Sequence, residues 1–202
     1  MTGIPAIPAI FIVANLIMGA PANGSDHAFV NMSYFTIPMP VIVHGVAGIF
    51  FFLFMPFQFS SVLRKKYTRY HRLAGAIVIT SGITIACSAP WMHHAFSSEA
   101  SLARYVGLLS MSVCIVISFS IALKAITQAN IEKHRIWMVR SIAITLGPIT
   151  AALFEIPIFL ILNSFNQLTP EMIQFVSNYD RLYGMSINLA IVEYLRMRKI
   201  NK

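Results

Sequence analysis

The sequence predicts an all-α protein: a polytopic membrane helix bundle of about six transmembrane helices, forming one membrane domain over residues 1–202. Three observations predict it. Hydrophobic residues make up 57% of the chain and charged residues only 11%, for a mean hydropathy of +0.71. The apolar residues fall in runs of about 20, the length a helix needs to cross the hydrocarbon core. Finally, 13 of the 15 basic residues gather in three short stretches between or after those runs.

Taken in order, the first run, 5–20, is short and contains Pro5 and Pro8. It ends in "GAPA", where Ala20 and Ala22 make an A-x-A pattern. Residues 1–22 therefore read either as a retained helix or as a cleaved signal, with the core bundle at 41–197. The second run, 41–60, has His44 near its start, followed by Gly45 and Gly48. The third, 73–92, is preceded by His71 and Arg72 and followed by His93 and His94. Steps of 3.6 residues from His71 reach Gly75, Val78, Gly82, Ala86, Ala89 and His93, so His93 lies about 40° from the phase of His71 and His94 about 140°. Pro90 sits in this stretch and would kink it. The fourth run is 102–124. Cys87 and Cys114 fall inside apolar runs and read as packing residues. The fifth, 138–162, holds Glu155, a carboxylate deep in a span. The sixth, 181–197, is the most polar, with Asn188 and Glu193.

Charge sets the orientation. Arg64, Lys65, Lys66, Arg69 and Arg72 share one connection; Lys124, Lys133, Arg135 and Arg140 flank another; Arg196, Arg198, Lys199 and Lys202 form the tail. The positive-inside rule makes these cytoplasmic. The chain is then a multi-pass protein of the inner (plasma) membrane with both termini cytoplasmic and with 21–40, 93–101 and 163–180 facing outward. The net charge of +8 is explained by this topology and not by nucleic acid. There is no internal repeat, nucleophile elbow, phosphate loop, HExxH or CxxC. Chemistry, if any, belongs to a cofactor or to groups between helices.

The histidines are the candidates. His71 and His134 open two apolar runs at the same predicted depth, and each is followed by an arginine. Imidazole is a standard axial ligand of haem iron. The redox reading has His71 and His134 ligating one b-type haem. Arg72 and Arg135 neutralise its propionates, Gly75 leaves room for the ring, and Trp137 forms a wall. Electrons then pass to or from a membrane carrier such as a quinol, with Glu155 exchanging a proton and Asn188 as its candidate partner. The plain alternatives are close helix packing for the small-residue stripe, headgroup contacts for the histidines, and a packing role for Glu155 beside Pro157.

A second reading gathers His27, His44, His93 and His94 at the outer face around a transition metal, with His44 and His93 as the leading ligands. Imidazole suits zinc, copper, iron and nickel, and Met32, Met39 and Met92 lie nearby. A third reading is a non-catalytic partner or sensor that binds anionic lipid or another membrane subunit through its basic loops. Glu193, beside the basic tail, reads as an ion-pair residue.

"HGVAGIFFFLFMPFQF", "YHRLAG" and "KHRIWMVRSIAIT" resemble an uncharacterised family of predicted bacterial multi-pass membrane proteins with HRxxG and HRxWMxRS motifs. The likeness covers roughly 40–150. It implies a membrane topology and marks His44, His71 and His134. More distantly, the architecture is similar to that of membrane cytochromes b, which hold haem between histidines on membrane helices.

Overall fold

The computed structural model describes residues 6–19, 30–97 and 101–200, and among these the chain is helical without strands. Pro5, the Ala20 and Ala22 pair, His27, Lys202 and the side chain of Lys199 lie outside the described residues. The chain divides into two compact units, Met1–Glu99 and Ala100–Lys202.

The first unit contains α1 (Ala6–Met18), α2 (Ser33–Thr36), α3 (Pro38–Phe54), a 3-10 helix (Met55–Phe59), α4 (Ser61–Lys66) and α5 (Thr68–Phe96). Pro38 starts α3, where a missing N–H costs nothing. Pro56 stands where α3 gives way to the 3-10 turn. Ser60 caps α4, its Oγ accepting from the Leu63 N–H at 3.3 Å. α4 stops at Tyr67, whose φ of −122° and ψ of 55° take the chain out of helical geometry before α5 begins. α3 packs along α5, and α1 along α3. α1 approaches α3 closely at Gly45, where a Cβ would stand 2.6 Å from Val13 Cγ2. Phe51 and Val78 are fully buried. The small-residue stripe of α5 is its buried face: Ala74, Val78, Ser81, Gly82 and Ala86 are all buried.

The second unit contains α6 (Leu102–Thr127), α7 (Ile131–Thr145), α8 (Gly147–Ser164) and α9 (Pro170–Ile200). Ser101 caps α6 by accepting from the Arg104 N–H. The turn from α6 to α7 is tight. Ala129 takes a left-handed φ of 56°, and the Asn130 N–H returns to the Ala125 carbonyl at 2.9 Å. Asn130 then caps α7, its Oδ1 accepting from the Lys133 N–H at 3.0 Å. This connection lays the first turn of α7 against the last turns of α6. α9 packs along α6, α7 and α8.

Four stretches are long and apolar enough to cross a membrane: Pro38–Phe59, Thr68–Phe96, Leu102–Thr127 and Ile131–Ser164. They correspond to the middle four expected spans. The fifth expected span is two helices, α7 and α8, meeting at Leu146–Gly147. Pro148 has no N–H to return to the preceding turn, so one helix ends and the next starts with proline in its first turn. The outer two differ more. The 13 residues of α1 cover about 20 Å, short of the hydrocarbon thickness. The last expected span is part of the 31-residue α9, whose polar side chains pair with neighbouring helices of its unit.

Candidate functional site

His134 sits one turn into α7, beside the end of α6. Its Nδ1 lies 2.8 Å from the Ala122 carbonyl oxygen. A carbonyl only accepts, so Nδ1 carries the proton, and a neutral ring keeps its lone pair on Nε2. The ring is half-buried and Arg135 beside it is exposed. One turn on, the Arg140 guanidinium lies over the Trp137 ring at 4.7 Å. Arg140 Nε donates to Glu193 Oε1 at 2.6 Å, and Arg196 reaches the other oxygen of Glu193 at 3.4 Å. Glu193 is thus the ion-pair residue expected from sequence, and Trp137 is the platform for its partner.

His71 lies in the first turn of α5, half-buried, with Arg72 exposed next to it. His71 and His134 belong to different units. Gly75 does have space above it, but Gln58 of the 3-10 helix fills it. A Cβ at Gly75 would meet Gln58 Oε1 at 3.2 Å. The Gln58 Nε2 is buried and has no hydrogen-bond partner among the described residues. The Gln58 amide therefore packs against Gly75.

His44 is tied to α5. Its Nδ1 lies 2.9 Å from Ser88 Oγ, and Ser88 donates its own proton to the Thr84 carbonyl at 2.7 Å. Ser88 therefore accepts from His44 Nδ1–H, and Nε2 again holds the lone pair. The helical phase of α5 places His93 half-buried and His94 exposed, with their rings edge-to-face at 5.9 Å. Ser88 is five residues before His93, or about 7.5 Å along the helix. His44 is thus hydrogen-bonded a turn and a half below His93. Among the described residues no group of three or more His, Cys, Asp or Glu side chains is arranged to hold a metal.

Glu155 does not pair with Asn188. Tyr183, five residues earlier on α9, donates its hydroxyl to Glu155 Oε1. Asn188 lies level with the joint between α7 and α8, where its Nδ2 donates to the Ala143 carbonyl at 2.9 Å and its Oδ1 accepts from Thr150 Oγ1 at 3.0 Å. Antiparallel packing of α8 and α9 fixes both pairings. Asp180 and Arg181 form an ion pair at 2.9 Å in the turn before Tyr183. Glu155 itself is half-buried, between the exposed Phe154 and Ile156.

Sequence reasoning missed Tyr183, Ser88 and Gln58. Tyr183 had one signal, its place on a helix that also carries Asn188 and Glu193. Ser88 and Gln58 had none, because their partners are set by helix pairing.

No curated protein and no solved structure matches the chain. A family described as predicted membrane protein, DUF2306, matches residues 41–194, so the sequence likeness extends into α9. The helical architecture, the four apolar stretches and this match agree, and the chain belongs to the DUF2306 family of predicted membrane proteins.

Proposed function

We propose that this integral membrane protein is a redox protein that holds a b-type haem and exchanges electrons with a membrane carrier such as a quinol. The observation that carries the reading is the hydrogen bond from His134 to the Ala122 carbonyl. A histidine that ligates iron through Nε2 needs its other nitrogen held by an acceptor, which fixes the tautomer, orients the ring and raises the basicity of the ligating nitrogen. His71 is the second ligand in this reading because it shares the His-Arg context of His134. Arg72 and Arg135, both exposed, supply the positive charge that propionates require. Gly75 leaves room for the ring in this reading once the flexible Gln58 side chain beside it moves aside. When bound, the haem supplies one-electron chemistry. Glu155 is 21 residues beyond His134, about 31 Å along the helices. Its part is proton exchange at its own depth, with Tyr183 holding the carboxylate in place.

The test is to purify the protein in detergent after expression with added haem, and to record oxidised and reduced visible spectra. A low-spin b-type spectrum is expected, lost in His71→Ala and in His134→Ala and retained in His94→Ala. Colourless, iron-free wild-type protein overturns the reading. The second reading then leads: a transition metal at His44 and His93, with the His44 Nε2 presented in the same manner by Ser88. Elemental analysis of wild type against His44→Ala decides that one.

A further inference from the structure

We infer that the connection between α3 and α5 is a docking surface for anionic phospholipid headgroups. The inference does not rest on the haem reading, which uses only Arg72 of the cations concerned. Residues 55–72 carry Arg64, Lys65, Lys66, Arg69 and Arg72 and no aspartate or glutamate. All five cations lie on α4 or in the first turns of α5, and all five are exposed. Among the described residues none of them is in an ion pair, whereas Arg140, Arg181 and Arg196 of the second unit each meet a carboxylate. Among the described residues of its own unit, nothing compensates the charge of 64–72.

Orientation alone does not explain the segment. Charge suffices to hold a loop on one side of a membrane, yet this one interleaves its cations with exposed apolar and aromatic side chains. Phe59 is 56% exposed, Val62 59% and Tyr70 65%, with Phe57 and Tyr67 also exposed. The Lys66 ammonium lies 5.6 Å from the centre of the Tyr67 ring. The break at Tyr67 separates α4 from α5, so α4 is a short element of its own and not an extension of the spanning helix. Both flanking helices are apolar stretches long enough to cross a membrane, which puts the connection at the boundary where headgroups lie. Aromatic and aliphatic side chains there enter the edge of the acyl region, and the cations meet phosphate. A soluble acidic protein would match the charge but leave Val62 and Tyr67, which lie between the two apolar stretches, without an apolar environment. The bilayer's own anionic lipid satisfies both.

The experiment places the full-length protein in nanodiscs of phosphatidylcholine alone, or of phosphatidylcholine with phosphatidylglycerol, and measures the thermal unfolding midpoint at low and high sodium chloride. Wild type is expected to unfold at a higher temperature with phosphatidylglycerol, and most of that gain is expected to vanish in high salt, where the Debye length shrinks. The combined variant Arg64→Gln, Lys65→Gln, Lys66→Gln, Arg69→Gln is expected to lose most of the gain. The milder Lys65→Gln, Lys66→Gln pair, which serves if the larger variant fails to insert, is expected to lose about half. A comparator with Lys124→Gln and Lys133→Gln is expected to keep the gain. Wild type indifferent to phosphatidylglycerol would leave the surface to a protein partner and overturn the inference. A comparator that loses as much as the four-site variant would reduce the effect to diffuse charge and overturn it equally.

Discussion

The carbonyl of Ala122 decides which nitrogen of His134 is available for chemistry, and the hydroxyl of Ser88 does the same for His44. The histidines were legible in the sequence because "HR" recurs before two apolar runs. The acceptors were not: a backbone carbonyl has no signature, and Ser88 is one of many serines on membrane helices. Glu155 was legible as a carboxylate at membrane depth, an expensive placement, but its partner was not, because nothing in the sequence sets the register of α8 against α9. That partner gives a prediction. In Glu155→Gln the amide oxygen still accepts from Tyr183, so protein level and haem content are expected to stay near wild type while quinol turnover falls. Tyr183→Phe removes the donor and is expected to lower stability by about 1–2 kcal/mol. Unfolding in detergent and turnover measured together check both. Equal loss of protein and turnover in Glu155→Gln assigns the carboxyl to packing instead.

At the scale of the elements, α8 and α9 are held together by backbone contact. A Cβ on Gly184 would overlap the Gly147 carbonyl, and one on Gly147 would stand 2.9 Å from the Met185 nitrogen. Both obstacles are backbone, so neither side can yield without the helices moving apart. Gly184→Ala is expected to destabilise the protein by about 1–3 kcal/mol, the usual cost of overpacking. Gly48 provides the control, since a methyl added there would meet nothing within 4 Å. Gly48→Ala is expected to be neutral or slightly stabilising. A denaturation midpoint for each variant separates the two. Close approach at small residues is a general rule for membrane helices, and the sequence displayed such residues on α5 most clearly. The tightest contact is elsewhere, because it depends on which helices are neighbours. The joint at Leu146–Gly147 was half legible: Gly147 and Pro148 announce a break, but the apolar run continues through them and reads as one span.

For the whole molecule, the helical class and the four long apolar stretches followed from composition and run length. The division into two units did not, since the polar residues 93–101 read as one more short loop between spans. The first and last elements were read by hydropathy alone, which registers neither the shortness of α1 nor the polar partners of α9. Orientation is the remaining global property, and the distribution of basic residues gives the expectation for it. Single cysteines at positions 66 and 133, in a background without Cys87 and Cys114, are expected to resist a membrane-impermeant thiol reagent in intact cells and to react after permeabilisation. Reaction of either site in intact cells reverses the assignment of sides and removes the shared depth on which His71 and His134 were matched.

The clamp at the α7–α8 joint also fixes an order of events during synthesis. Asn188 follows Ala143 by 45 residues. At a ribosomal rate of about 5–20 residues per second, the carbonyl waits about 2–9 s for its donor. Throughout that interval the joint is held by its local backbone bonds alone, Leu146 N–H to Ile142 and Thr150 N–H to Leu146. The contacts of Asn188 with Ala143 and Thr150 are therefore among the last of the unit to form, after most of α9 has been made.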